Sequence, residues 1–208
     1  MQQYLTVGAV GWEHPQWQDE YYPDGLPDDW RPAYYSNEFH AVLLPQLHWL
    51  DGSGKRIQAW VQELPGDFRF FLGVDLAAPE LQALDRARIV LQEQLAGIVL
   101  QNSQSAPSLA GVPVWTKREG IAPVYNDTVI AVPGMMECWR PDREMSAPSA
   151  IGIIHVSDVA DLRELRSRMQ NFIRQAPPVR DLYLFIDGEP PPPQILRDAV
   201  TITELLGY

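Results

Sequence analysis

The chain carries one cysteine, Cys138, in 208 residues. A lone cysteine excludes an intrachain disulfide framework and a cysteine-rich zinc site, and it fits a reducing compartment. Basic residues are scarce too. Sixteen Lys and Arg stand against 27 Asp and Glu, for a formal net charge of -11 and a sequence pI of about 4.7. Affinity for a polyanion comes from counterions that Lys and Arg displace. No cluster of five or more basic residues occurs, so nucleic acid is not an expected partner. No stretch approaches the ~18 apolar residues of a membrane span. Residues Tyr4 to Val10 read as a strand, with no basic n-region or apolar h-region ahead of them, so no leader is expected. The expectation is a cytoplasmic protein without membrane association. Also missing are Gly-x-Ser-x-Gly, a Walker-type loop and a dinucleotide fingerprint, which removes the enzyme classes those motifs build.

What is present is an ordinary globular composition. Hydrophobic residues make up 46% and charged residues 21%, enough for a packed core. Apolar runs of strand length alternate with segments of helical period, the pattern of βα units around a parallel sheet. Strands are expected at Leu5 to Val10, Ala41 to Leu47, Phe68 to Val74, Ile98 to Gln101, Ile151 to Val156 and Leu182 to Ile186. Helices are expected from Asp28 to Asn37, Gly54 to Glu63, Pro79 to a stop at Gly97, Asp158 to Gln175 and Gln194 to Leu206. Val159, Leu162, Leu165, Met169, Phe172 and Ile173 form one helical stripe. Between Asn102 and Pro148 the pattern blurs: Val112 to Thr116 and Val124 to Val132 read as strands, with no amphipathic helix between them.

Gly11-Trp12-Glu13-His14-Pro15-Gln16-Trp17, followed by Tyr21-Tyr22-Pro23, resembles the opening Gly-Trp-x-Tyr-x-x-Trp and Phe-Tyr-Pro of the YecE-like family, a domain of unknown function. Trp30 with Tyr34-Tyr35 and Phe39 is similar to its first helix, and Trp60 with Pro65-Gly66-Asp67-Phe68-Arg69-Phe70 to its second helix and third strand. Leu100-Gln101, Leu182-Tyr183-Leu184-Phe185 and Leu205-Leu206-Gly207 continue the likeness. The resemblance implies an α/β fold, a TIM-like (β/α) barrel in one domain over residues 1–208, here shortened or distorted between residues 102 and 148. The polar groups depart from the family. Leu43 and Pro45 stand where it has Glu and Asn, Gly73 where it has Lys, and Ile153-Ile154-His155-Val156 keeps only the histidine of its Arg-Leu-His-Gly. A carboxylate is costly to bury and is kept for function, so its replacement by Leu removes that function. The resemblance thus implies a catalytically eroded protein that binds a small polar molecule or a protein partner.

In a parallel barrel, reactive groups stand where strands end. Those positions give His14, His155 and Asp187 as catalytic candidates. Together with His48 and Asp75 they are the residues a divalent metal would use for hydrolysis. They share no metal-ligand spacing such as His-x-His, so no cofactor is expected, and a metal-assisted hydrolase or other small-molecule enzyme with its site at the C-terminal mouth of the barrel stands as the alternative. The plainer reading makes Asp75 and Asp187 turn caps, His48 a loop residue and His155 a core residue. Trp12, Trp17, Tyr21 and Trp49, with Gln101, are candidates for binding a substrate, since aromatic faces beside a polar mouth suit sugar or base stacking. The competing reading has these rings pack loops onto the barrel, as large aromatics do in cores. Pro190 to Pro193 offer no backbone N–H, so no phosphate cup is expected in the last βα loop. Cys138 has no evident base beside it in the sequence and is not expected to be a nucleophile.

Overall fold

The structure is a computed structural model that describes residues 2–50, 54–75, 81–101, 123–127 and 136–208. Eight strands form one all-parallel sheet: β1 (Tyr4–Val10), β2 (Ala41–Leu44), β3 (Arg69–Asp75), β4 (Leu95–Gln101), β5 (Val124–Asn126), β6 (Met136–Glu137), β7 (Ile151–His155) and β8 (Asp181–Asp187). Their order is β6-β5-β4-β3-β2-β1-β8-β7. A parallel bridge between Trp139 and Gly152 brings the chain just past β6 against β7. Two hydrogen bonds hold it, Trp139 N–H to Ile151 O at 2.8 Å and Ile153 N–H to Trp139 O at 2.8 Å.

The helices follow from capping and spacing. They are α1 (Arg31–Ser36), α2 (Gln46–Trp49), α3 (Lys55–Glu63), α4 (Leu81–Leu91), α5 (Leu162–Gln175) and α6 (Pro193–Leu206). In α5 the buried Leu165, Met169 and Phe172 recur at helical spacing. The Asp161 side chain accepts from Arg163 N–H and Glu164 N–H, so the helix begins at that cap, past the expected Asp158, and a 3-10 turn occupies Val156–Asp158. In α6, Pro193 fills the first turn and Gly207, at φ 82°, closes the end. The expected first helix is a 3-10 turn at Asp28–Trp30 running into α1. β2 stops at Leu44 because Pro45 has no N–H to continue the ladder, and Gln46–Trp49 coil into α2 instead.

Gly97 does not end a helix. A 3-10 turn at Gln92–Gln94 does so, and Gly97 lies inside β4, where a Cβ would come within 2.6 Å of the Phe71 ring. β6 was not expected from the sequence. The expected strand at Val112 to Thr116, the far part of Val124 to Val132 and the start of a helix at Pro79 lie outside the described residues. Residues 138–150, between β6 and β7, carry turns and bends and no helix.

The alternation of strand side chains produces two cores. One lies between the sheet and the helices and takes Leu5, Val7 and Ala9 of β1, Phe70, Leu72 and Val74 of β3, and Leu182, Leu184 and Ile186 of β8. The other takes the opposite face: Ala41, Leu43, Phe71, Val99, Tyr125, Cys138, Ile151, Ile153 and Phe185. Among the described residues no helix is long and apolar enough to cross a membrane.

Candidate functional site

All strands run the same way, so their C-terminal ends share one rim. On β4, β7 and β8 the period of two that buries Val99, Ile153 and Phe185 next presents Gln101, His155 and Asp187. Just past β5 and β6, the same step from Tyr125 and Cys138 leads to Asp127 and Arg140. The mouth thus has an apolar floor and a polar upper layer.

Asp127 and Arg140 dominate that layer, and neither stands among the residues the sequence singled out. The Asp127 side chain is only 4% exposed. Arg140 grips it with two parallel hydrogen bonds, Nε–H to Oδ1 at 2.7 Å and Nη2–H to Oδ2 at 2.6 Å. Arg143 lies 3.7 Å from the same carboxylate, and Asp187 Oδ2 lies 3.9 Å from Arg140 Nη2. Burial raises the Asp187 carboxyl above its ordinary value; the charges of Arg140 and His155 oppose this without cancelling it. The Asp127 partnership holds Arg140 above its ordinary value despite burial. Burial pushes the Cys138 thiol well up, which keeps it protonated and inert. Tyr125, beside it, is pushed up to about 12 by burial.

His14 and His48 flank Gly11. Its φ of 78° belongs to the left-handed region, and a Cβ there would meet His48 Cε1 at 3.0 Å and His14 Nε2 at 3.2 Å. His14 Nε2–H donates to Val10 O at 3.0 Å. Among the described residues His48 Nδ1 is buried with no hydrogen-bond partner. Burial lowers both histidines below their ordinary 6.5, so both are neutral at pH 7. His155 Nδ1 accepts from Ser157 N–H at 3.2 Å and lies 2.7 Å from Ser157 Oγ. Asp75 ends β3 opposite Gln101 of β4, its N–H donating to Gln46 Oε1 at 3.1 Å.

The charge of Asp187 reaches both His14 and His155, but the five-residue convergence on one ion is not formed. Among the described residues no group of three or more His, Cys, Asp or Glu is placed to hold a metal.

The aromatic candidates are buried. Trp12, Trp17, Tyr21 and Trp49 are each at most 4% exposed, with no ring face open to a ligand. Two of them brace loops instead. Trp17 Nε1–H donates to Pro191 O at 2.9 Å, tying the first βα loop to the last. Trp49 Nε1–H donates to Gly73 O at 2.9 Å. Tyr22, next to Tyr21, donates its O–H to Trp12 O at 2.7 Å. Only Gln101 of that set stays at the mouth, half-buried, with its carboxamide in the space a Gly73 side chain would fill.

Solved structures share this architecture. A protein of the DUF72 family from Thermotoga maritima superposes with a TM-score of 0.61 over 99% of this chain and 100% of its own, at 12% identity. One from Enterococcus faecalis gives 0.62 over 99% and 98%, at 10% identity. At such identity the likeness is one of fold. No functionally curated protein matches the chain. The family described as "Protein of unknown function DUF72" matches residues 6–120, more than half of the chain, a span that holds the Gly11–Trp17 motif, the paired tyrosines, most of β1 and all of β2 to β4, and this chain belongs to that family.

Proposed function

We propose that this chain is a catalytically eroded member of its family that binds a small polar molecule at the C-terminal mouth of a shortened TIM-like barrel. The observation that carries the reading is the pairing of the mouth's charges with one another. Asp127 is held by two hydrogen bonds from Arg140 with Arg143 beside it, and a carboxylate so gripped is neither a free base nor a free metal ligand. The substituted positions agree with it. Leu43, where the family resemblance implies Glu, is fully buried in the inner core, and the space beside Gly73, where it implies Lys, is filled by Gln101. The barrel reading is supported by the Trp139–Gly152 bridge and by a second core on the inner face of the sheet. A cytoplasmic setting is supported by the single, buried cysteine.

The alternative is metal-assisted hydrolysis. It is favoured by the two neutral imidazoles around Gly11, which are in the protonation state a divalent ion needs. Metal analysis of the purified protein, followed by a screen of phosphoester, glycoside and amide substrates, separates the two. The expected result is no stoichiometric metal and no turnover. Bound zinc or manganese with turnover abolished by His155→Ala would establish the hydrolase.

A further inference from the structure

Resting on the reading of the mouth as a binding site, we infer that its ligand is a neutral, hydroxyl-rich molecule such as a sugar or polyol, one hydroxyl of which bridges Arg140 and Asp187. The bridge follows from a gap. Arg140 Nη2 and Asp187 Oδ2 face each other at 3.9 Å. That is too far for a direct hydrogen bond and right for an inserted oxygen that accepts from one and donates to the other. A hydroxyl does both. A carboxylate or phosphate only accepts and would lie against Asp187; an ammonium only donates and would lie against Arg140.

The charge balance points the same way. Among the described residues two arginines meet two carboxylates there, with Asp127 already taken, so this cluster carries no spare charge to select an ion. The neighbouring loop adds Glu189 and the prolines 190–193, which present a carboxylate and no N–H donors where an anion would dock. Access is open: the Arg140 side chain is 26% and Asp187 29% exposed. Below them Phe185, Ile153 and Tyr125 are buried and close the floor, so the polar layer itself makes the contacts to the ligand.

The test is NMR titration of the full chain with D-glucose, D-xylose and myo-inositol, and in parallel with glucose phosphate and inositol phosphate, following the His155 imidazole signals. The expected outcome is millimolar or tighter binding of at least one neutral compound. Its phosphate should bind at least about tenfold more weakly, and Asp187→Ala should weaken the neutral ligand by about tenfold or more with the fold retained. Asp187→Asn, which keeps an acceptor of the same shape, should fall between the two. Tighter binding of a phosphate at His155 would overturn the ligand class and leave the mouth as the site. Binding indifferent to both Asp187 variants, or no binding by any of the three neutral compounds, would overturn the inference as well. Turnover of any compound would instead count against the eroded-enzyme reading.

Discussion

Tyr35 shows what several of the buried aromatic residues do, although Trp12 Nε1 and the Tyr21 hydroxyl are buried with no partner among the described residues. Tyr35 is fully buried on α1, and its hydroxyl accepts from Ala9 N–H at 2.8 Å while donating to Ala41 O at 3.0 Å, so one side chain satisfies backbone groups of both β1 and β2. Trp17 and Trp49 likewise spend their single donors on distant carbonyls. Rings with one polar atom suit this role, since they fill core volume and still satisfy a buried backbone group. Asp187 is the residue whose setting yields a test by pH. Burial raises its carboxyl above 3.8 in the folded chain. The folded state therefore binds more protons than the unfolded one between 3.8 and the raised value, and stability falls as pH climbs through that window. Asp187→Asn should accordingly unfold at a higher temperature than the parent at pH 7, and the difference should vanish as the pH approaches 3.8. Thermal melts of both proteins across that range decide it; a variant less stable at pH 7 would show that Arg140 outweighs the burial. The Gly11–Trp17 motif was legible in the sequence and the burial of its rings was not, because whether a ring is covered depends on Pro191, 174 residues from Trp17.

At the scale of elements, the strands with a clear period were readable: β1 to β4, β7 and β8 stand where apolar alternation places them, to within a few residues. β6 has two residues, too short for a period to register, and the strand expected from Val124 to Val132 carries Asp127 inside it rather than at its end. That is why Asp127 and Arg140 escaped notice. The rule that singled out Asp75 and Asp187, an ionisable group just past an apolar run, would have found Asp127 after Val124-Tyr125 and Arg140 after Cys138-Trp139. Their pair links the ends of β5 and β6, and the Coulomb reach to Asp187 extends it to β8. Arg140→Met leaves the Asp127 carboxylate buried with only the more distant Arg143, and should cost about 3 kcal/mol in urea unfolding. Replacing both partners, Asp127→Leu with Arg140→Met, should recover most of that loss, since an apolar pair carries no unpaired charge. A single-variant loss below about 1 kcal/mol would mean the pair behaves as an exposed salt bridge.

The whole molecule is set by its charge as much as by its sheet. The α/β fold with its parallel sheet was legible because βα alternation survives at both ends of the chain, around the blurred middle. Among the described residues, the charge network at the strand ends that the sequence did not reveal is balanced and gives no basic patch. Beyond it, 27 acids against 16 bases surround a duplex with repulsion. Several arginines are already engaged with carboxylates: Arg31 with Asp28 at 2.8 Å, Arg168 with Glu164 at 2.9 Å and Arg197 with Glu38 at 2.9 Å. An arginine that must leave a carboxylate to reach a phosphate gains little from the exchange, and fewer counterions are released per contact. The expected outcome is no complex with duplex DNA tighter than ~100 μM at physiological salt, measured by fluorescence anisotropy with a labelled duplex of random sequence. Micromolar binding that weakens steeply as salt is raised would reveal a basic track strong enough to override the net charge of -11.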